Sequence, residues 1–104
     1  MAERGQIEGG ILDGPLGFDL AISPESAKIK GIHSAVAGDA DIIVVPDLES
    51  GNMLYKQMTF LSETEAAGIV MGASVPIILT SRGSDELSRK ASCAMALVYA
   101  RNKK

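Results

Sequence analysis

Apolar and polar positions fall in blocks along this chain, and the spacing changes from block to block. Residues 41–45 carry Ile42, Ile43, Val44 and Val45 without a polar break, which reads as a strand covered on both faces. Residues 67–71 and 75–80 have the same character, split by Gly72, Ala73 and Ser74. A fourth strand is predicted over residues 6–12, diluted by Gly9 and Gly10 and closed by the turn signal Asp13, Gly14, Pro15. Between these runs the apolar period lengthens to that of a helix. Ser23, Pro24 and Glu25 give a hydroxyl cap, a first-turn proline and an acid at the positive end of the dipole, for a helix running to Lys30 and stopping at Gly31. Leu54, Met58 and Leu61 recur at helical intervals over residues 49–61, with Gly51 and Tyr55 on or beside the same face. In the last block Leu87, Ala91, Ala94, Met95 and Val98 fall on one helix face. Ser84 is its expected N-cap, with Asp85 and Glu86 in the first turn and Arg101, Lys103 and Lys104 near its end.

Strands alternating with helices predict an α/β fold, a small and mainly parallel sheet flanked by helices, in one domain over residues 1–104. A parallel sheet needs cover on both faces, and about three helices leave apolar area open. The pattern therefore predicts association, either as a homo-oligomer (a dimer) or with a larger body.

Composition alters this picture little. Hydrophobic residues make up 46% and charged residues 22%, the balance of a packed globular chain. A formal charge of −3 speaks against nucleic acid, which selects a clustered basic face. No apolar run approaches the roughly 18 residues of a membrane span, and the first ten residues lack the apolar core of a signal peptide. Cys93 is the single cysteine, which excludes an internal disulfide and suits a reducing cytoplasm. Its mid-helix place reads as a small packed residue, and Met53, Met58, Met71 and Met95 read as core filler. His33 has no Cys, His or paired acids at ligand spacing, so no metal site is expected.

Two junctions concentrate the candidate chemistry. Pro46 to Asn52 follows the strand at 41–45, and Ser81, Arg82, Gly83 and Ser84 follow the strand at 75–80; each leads into a helix. Open α/β sheets bind ligands at such strand ends, where helix amides point outward. Arg82 beside a hydroxyl and a glycine suits a phosphate or acyl-phosphate oxygen. A plain loop with a surface ion pair is the competing reading. No dinucleotide fingerprint, phosphate-binding Walker loop or nucleophile elbow is present.

The same junctions carry a resemblance. Asp13-Gly14-Pro15-Leu16 with Phe18-Asp19, Ala37-Gly38-Asp39-Ala40, Pro46-Asp47-Leu48 with Gly51-Asn52 and Tyr55-Lys56, and Ser81-Arg82-Gly83 occur in the order seen in phosphate acyltransferases. The chain resembles the C-terminal part of the phosphate acetyl/butyryl transferase family from about Gly9 to about Ala100, and the text around Gly17–Ser23 and Pro76–Arg82 leans to the butyryl branch. The resemblance implies part of an isocitrate/isopropylmalate dehydrogenase-like fold and the reaction of acyl-CoA with phosphate to give acyl phosphate and coenzyme A. Coenzyme A is then substrate or product, and no separate cofactor and no metal are implied. It implies Ser81 and Arg82 as catalytic residues. Asp47, Ser50, Gly51, Asn52, Lys56 and Gly83 would be substrate-binding. For Asp47, Ser50, Gly51 and Asn52, a phosphate or pantetheine contact stands beside simple helix capping. Where many acetyl-branch members carry an aspartate proposed as general base, this chain has Ser88, with Asp85 and Glu86 nearby. Family members are longer and supply further arginines from their N-terminal part, so low activity of this chain alone is expected. The alternative is a truncated, non-catalytic remnant or a coenzyme A-binding module.

Overall fold

The computed structural model describes residues 1–102 and forms two compact units, Met1–Val45 and Pro46–Lys104. The first unit opens with a short 3-10 turn, Ala2–Arg4, and is organised around two short helices, α1 (Phe18–Ile22) and α2 (Pro24–Ile29). Helix α2 begins as the sequence predicts, the Ser23 hydroxyl accepting from the Ser26 N–H at 3.2 Å. It stops at Gly31, whose φ of 66° is a left-handed conformation that side chains resist. There the Gly31 N–H donates to the Lys28 carbonyl at 3.1 Å and the Ile32 N–H to the Ala27 carbonyl at 2.9 Å, satisfying two otherwise orphaned acceptors. Helix α1 carries no sequence signal strong enough to predict it. Its five residues are held from outside their own turn.

That holding comes from residues 34–40, which strap across the α1–α2 corner. The Ser34 hydroxyl accepts from the Val36 and Ala37 N–H groups at 3.0 and 3.1 Å, fixing a tight turn. Gly38 then donates to the Leu20 carbonyl at 2.7 Å, and Ala40 to the Ala21 carbonyl at 3.1 Å. Gly38 is buried, with φ at 86°, and a Cβ built on it would lie 2.6 Å from the Cα of Pro24. Ala37-Gly38-Asp39-Ala40 is thus a packing element of the first unit.

The second unit holds α3 (Leu48–Leu61) and α4 (Glu86–Asn102). Helix α3 ends at Ser62, after which Glu63 takes a left-handed φ of 51° and the Thr64 N–H returns to the Met58 carbonyl at 3.1 Å. Helix α4 turns an unexpected face inward. Ser92 and Ala96 are buried, with 2% and 4% of their surface exposed, while Leu87, Met95 and Val98 of the predicted apolar face stand open. The Ser92 hydroxyl donates to the Ser88 carbonyl at 2.7 Å and accepts from the Gly68 N–H at 3.1 Å. A stripe of small residues lets the backbone at Gly68 reach the helix surface, which leucine and valine at those positions would prevent.

The expected sheet does not form. Among the described residues the only β pairing is a single antiparallel bridge between Val70 and Ile77, so the mainly parallel α/β architecture is replaced by helices and irregular chain. Strand character in a sequence becomes a strand only when a neighbour exchanges ladder hydrogen bonds with it. Residues 41–45 and 75–80 have no such neighbour apart from that bridge, and Ile42, Val44 and Leu79 are 81%, 89% and 82% exposed. Cys93, Met53, Met58, Met71 and Met95 are likewise exposed where packed side chains are expected.

Among the described residues the buried apolar ones number three, Ala21, Ala27 and Ala96, and the accessible surface totals 8,679 Å². Even two separately compact units of these sizes would expose only about 6,700 Å². About 2,000 Å² is therefore open beyond what close packing leaves. No helix among the described residues is long and apolar enough to cross a membrane.

Candidate functional site

Ser81 to Ser84 form a tight turn immediately before α4. The Ser84 N–H donates to the Ser81 carbonyl at 3.0 Å, and the Gly83 N–H points to the Ser81 hydroxyl at 3.3 Å. This leaves Arg82 and Gly83 at the corner of the turn, both exposed. The Arg82 guanidinium has no carboxylate partner among the described residues, whose ion pairs are Lys30–Asp19 and Lys90–Glu86. The ion-pair reading of this arginine therefore finds no support among the described residues.

Asp85 follows the turn and, rather than Ser84, caps α4: its carboxylate accepts from the Ser88 N–H at 2.7 Å. The Ser88 side chain, the Ser88 N–H and the positive charge of Arg89 hold the Asp85 carboxyl below the usual carboxylate range. A carboxylate made more acidic is a weaker base. Asp85 is thus a weaker base than an ordinary carboxylate, and the Ser88 N–H is spent on the cap.

Asp47 plays the matching part for α3, accepting from the Ser50 N–H at 2.7 Å. Hydrogen bonds from the Ser50 side chain and backbone hold its carboxyl below the usual range. Capping, one of the two readings open for Asp47 and Ser50, is formed here. Gly51 is half-buried and Asn52 exposed in the first turns of the same helix.

Lys56 lies nine positions beyond Asp47, which places it about 13 Å further along the helix axis. Its ammonium stands 5.4 Å from the Tyr55 ring centre and 5.3 Å from that of Phe60, within cation–π range. It is half-buried and makes no ion pair among the described residues.

Two of the predicted residues come together. Lys56 and Gly83 line one recess of about 290 Å³ between the C-terminal half of α3 and the start of α4, with Tyr55, Phe60, Ser84 and Ser88. Glu63, Glu65 and Asp85 also line it, so its charge is acidic in sum. Ser81 and Arg82 adjoin the recess through Gly83, whereas Asp47, Ser50, Gly51 and Asn52 lie at the far end of α3 and outside it.

Arg89, which sequence reasoning passed over, also reaches the turn. Its Nη2 stands 3.5 Å from the Arg82 carbonyl. The signal for it was Asp85 four residues earlier, an acid–base pair at one-turn spacing on α4. In the first unit, Asp13 is held below the usual carboxylate range by the Ser34 hydroxyl and the Gly14 N–H. Among the described residues no group of three or more His, Cys, Asp or Glu side chains is placed to hold a metal.

Comparison with known proteins places these features in context. A profile described as phosphate acetyl/butaryl transferase matches residues 1–97. A phosphate acetyltransferase of Rhizobium meliloti is 64% identical over 96% of this chain and 32% of its own length. A phosphate butyryltransferase of Clostridium acetobutylicum is 44% identical over 99% of this chain and 34% of its own. The crystal structure of a branched-chain phosphotransacylase from Enterococcus faecalis V583 superposes with a TM-score of 0.72 at 40% identity, covering 81% of this chain and 32% of that one. The chain spans about a third of the length of the relatives it matches.

Proposed function

Given that this chain belongs to the phosphate acetyl/butyryl transferase family, we propose that it forms the phosphate-facing side of an acyltransferase site, with Arg82 as its principal group. The observation that carries this reading is the exposed Arg82 guanidinium, held at the corner of a tight turn with no carboxylate to neutralise it among the described residues. Acyl-CoA and phosphate are the proposed substrates, and no resident cofactor enters the chemistry.

In the direction of thioester formation, the coenzyme A thiolate attacks the acyl carbon of the acyl phosphate. The carbon–oxygen bond to phosphate breaks, and its electron pair leaves on the phosphate. Negative charge thus grows on phosphate oxygens, where a guanidinium fork stabilises it. The thiol, with an ordinary pKa near ~8.5, needs little help to ionise and passes its proton to solvent, so Ser88 in place of a carboxylate does not stop the reaction. The Gly83 backbone gives the acyl group a close approach, and Lys56, seated on two aromatic rings, adds positive charge at the recess. Ser81 stands beside Arg82 to donate its hydroxyl to the same oxygens. For the acyl chain, the segment texts weigh toward butyryl and the 64% identity to an acetyltransferase weighs toward acetyl; both are short chains.

The test combines binding and turnover. Thiol release from acetyl-CoA and butyryl-CoA with phosphate is expected to stay well below roughly 1 per second for the chain alone, the low end for ordinary enzymes, because a one-sided site admits water. Phosphate and coenzyme A are nonetheless expected to bind at millimolar concentration, as followed by titration. Binding with no turnover of either acyl-CoA favours the coenzyme A-binding module. Absence of both makes the chain a remnant of the fold.

A further inference from the structure

Helix α4 sends one long side chain back toward the turn that precedes it. Side chains on a helix lean toward its N-terminus, so Arg89 extends past Asp85 to the Ser81–Ser84 turn. Its Nη2 stands 3.5 Å from the Arg82 carbonyl oxygen, a long contact but the only side-chain donor to that oxygen among the described residues. The Arg89 charge also acts on Asp85, the carboxylate nearest in sequence to the turn. Two consequences follow for an anion approaching Arg82. The peptide carrying Arg82 is tethered from the helix, and the repulsion that Asp85 would exert is partly offset.

We propose that Arg89 is a positioning residue for Arg82, acting through the Arg82 carbonyl and through Asp85 to present the Arg82 guanidinium to a phosphate group. This rests on the reading of Arg82 as the phosphate contact. The tether is local: Asp85, Arg89 and the turn form one short stretch of chain, so loss of Arg89 removes the hold without removing the turn's own Ser84 to Ser81 hydrogen bond. Arg89 is exposed, so its loss opens no cavity.

The test is a double-mutant cycle with inorganic phosphate as the probe, followed by phosphorus NMR titration, on the wild-type chain, Arg89→Ala, Arg82→Ala and the double variant. Arg89→Ala is expected to weaken phosphate about three- to tenfold in the wild-type background and to change nothing in the Arg82→Ala background, the signature of residues that act through one another. Arg89→Gln, which keeps donors without charge, is expected to recover part of the loss, and melting temperatures of all variants are expected to coincide. Equal affinity of wild type and Arg89→Ala overturns the proposal. So does the same fold-loss in both backgrounds, which would make Arg89 an independent contact, or a loss that tracks a fall in melting temperature. If Arg82→Ala weakens phosphate and Arg89→Ala does not, only this proposal falls. If the wild-type chain ignores phosphate, the reading of Arg82 falls with it.

Discussion

Gly38→Ala is expected to cost the first unit about 2–5 kcal/mol, enough to unfold the α1–α2 corner. Two terms combine. A side chain at a left-handed φ costs about 1–2 kcal/mol, and φ here is 86°. The added Cβ would also stand 2.6 Å from the Cα and 2.8 Å from the nitrogen of Pro24, and 3.2 Å from the Ser23 carbonyl carbon. These are backbone atoms, at the capped and proline-fixed first turn of α2, and no rotamer change moves them away. Overpacking of this kind costs about 1–3 kcal/mol. Relief by shifting the strap would stretch the 2.7 Å hydrogen bond from Gly38 to Leu20 that holds α1. Gly83→Ala is the control. Its Cβ would meet nothing closer than the Ser81 hydroxyl at 4.0 Å, so its stability is expected to be unchanged. Amide exchange at Gly38 and Ala40 reports the strap directly; the alanine variant should lose its protection at residue 40 while α4 keeps its own. Retained protection would mean that the strap does not seat on α2 in solution.

Arg82→Ala should weaken phosphate or acyl phosphate about 10- to 150-fold, since one charge-assisted contact contributes about 1.5–3 kcal/mol. The guanidinium is exposed in the free chain and pairs with no acid among the described residues, so its removal breaks no internal bond and leaves the fold alone. Arg82→Lys should recover only part of the affinity, because a point charge replaces a planar fork that can grip two oxygens. Titration with phosphate and with acetyl phosphate checks both variants. Indistinguishable affinities of wild type and Arg82→Ala would take Arg82 out of the site.

What could be read in the sequence was local. The Ser23-Pro24-Glu25 start and Gly31 stop of α2, the body of α3 and most of α4 are decided within a few residues by caps, periodicity and φ, and each forms where those signals stand. Asp47 as a cap was one of two open readings. The Ser81-Arg82-Gly83 turn stands out in sequence because a charged fork, a hydroxyl and a glycine meet before a helix. The strands were misread for a physical reason. Ile42, Val44 and Leu79 have strand character, but pairing depends on a neighbour that no local pattern supplies. The inward face of α4 was misread for a related one. Apolar count points to Leu87 and Val98, while the buried face holds Ala96 and Ser92, the latter hydrogen-bonded to Gly68. Helix α1 was illegible because its support comes from Gly38 and Ala40, sixteen or more residues beyond its last residue.

The 8,679 Å² of open surface also sets how the chain answers denaturant. An unfolded chain of this mass exposes about 15,800 Å², so unfolding uncovers only about 7,100 Å² here, against about 9,100 Å² for two close-packed units. The slope of stability against urea follows the area uncovered, and should be lower by about a fifth. The heat-capacity increment should shrink by more, because the surface already open is rich in isoleucine, valine and leucine. Any body that covers this surface, a second copy included, would restore both quantities. A urea slope that steepens as the chain is concentrated is therefore the expected mark of self-association, and a slope independent of concentration would mark a chain that stays single.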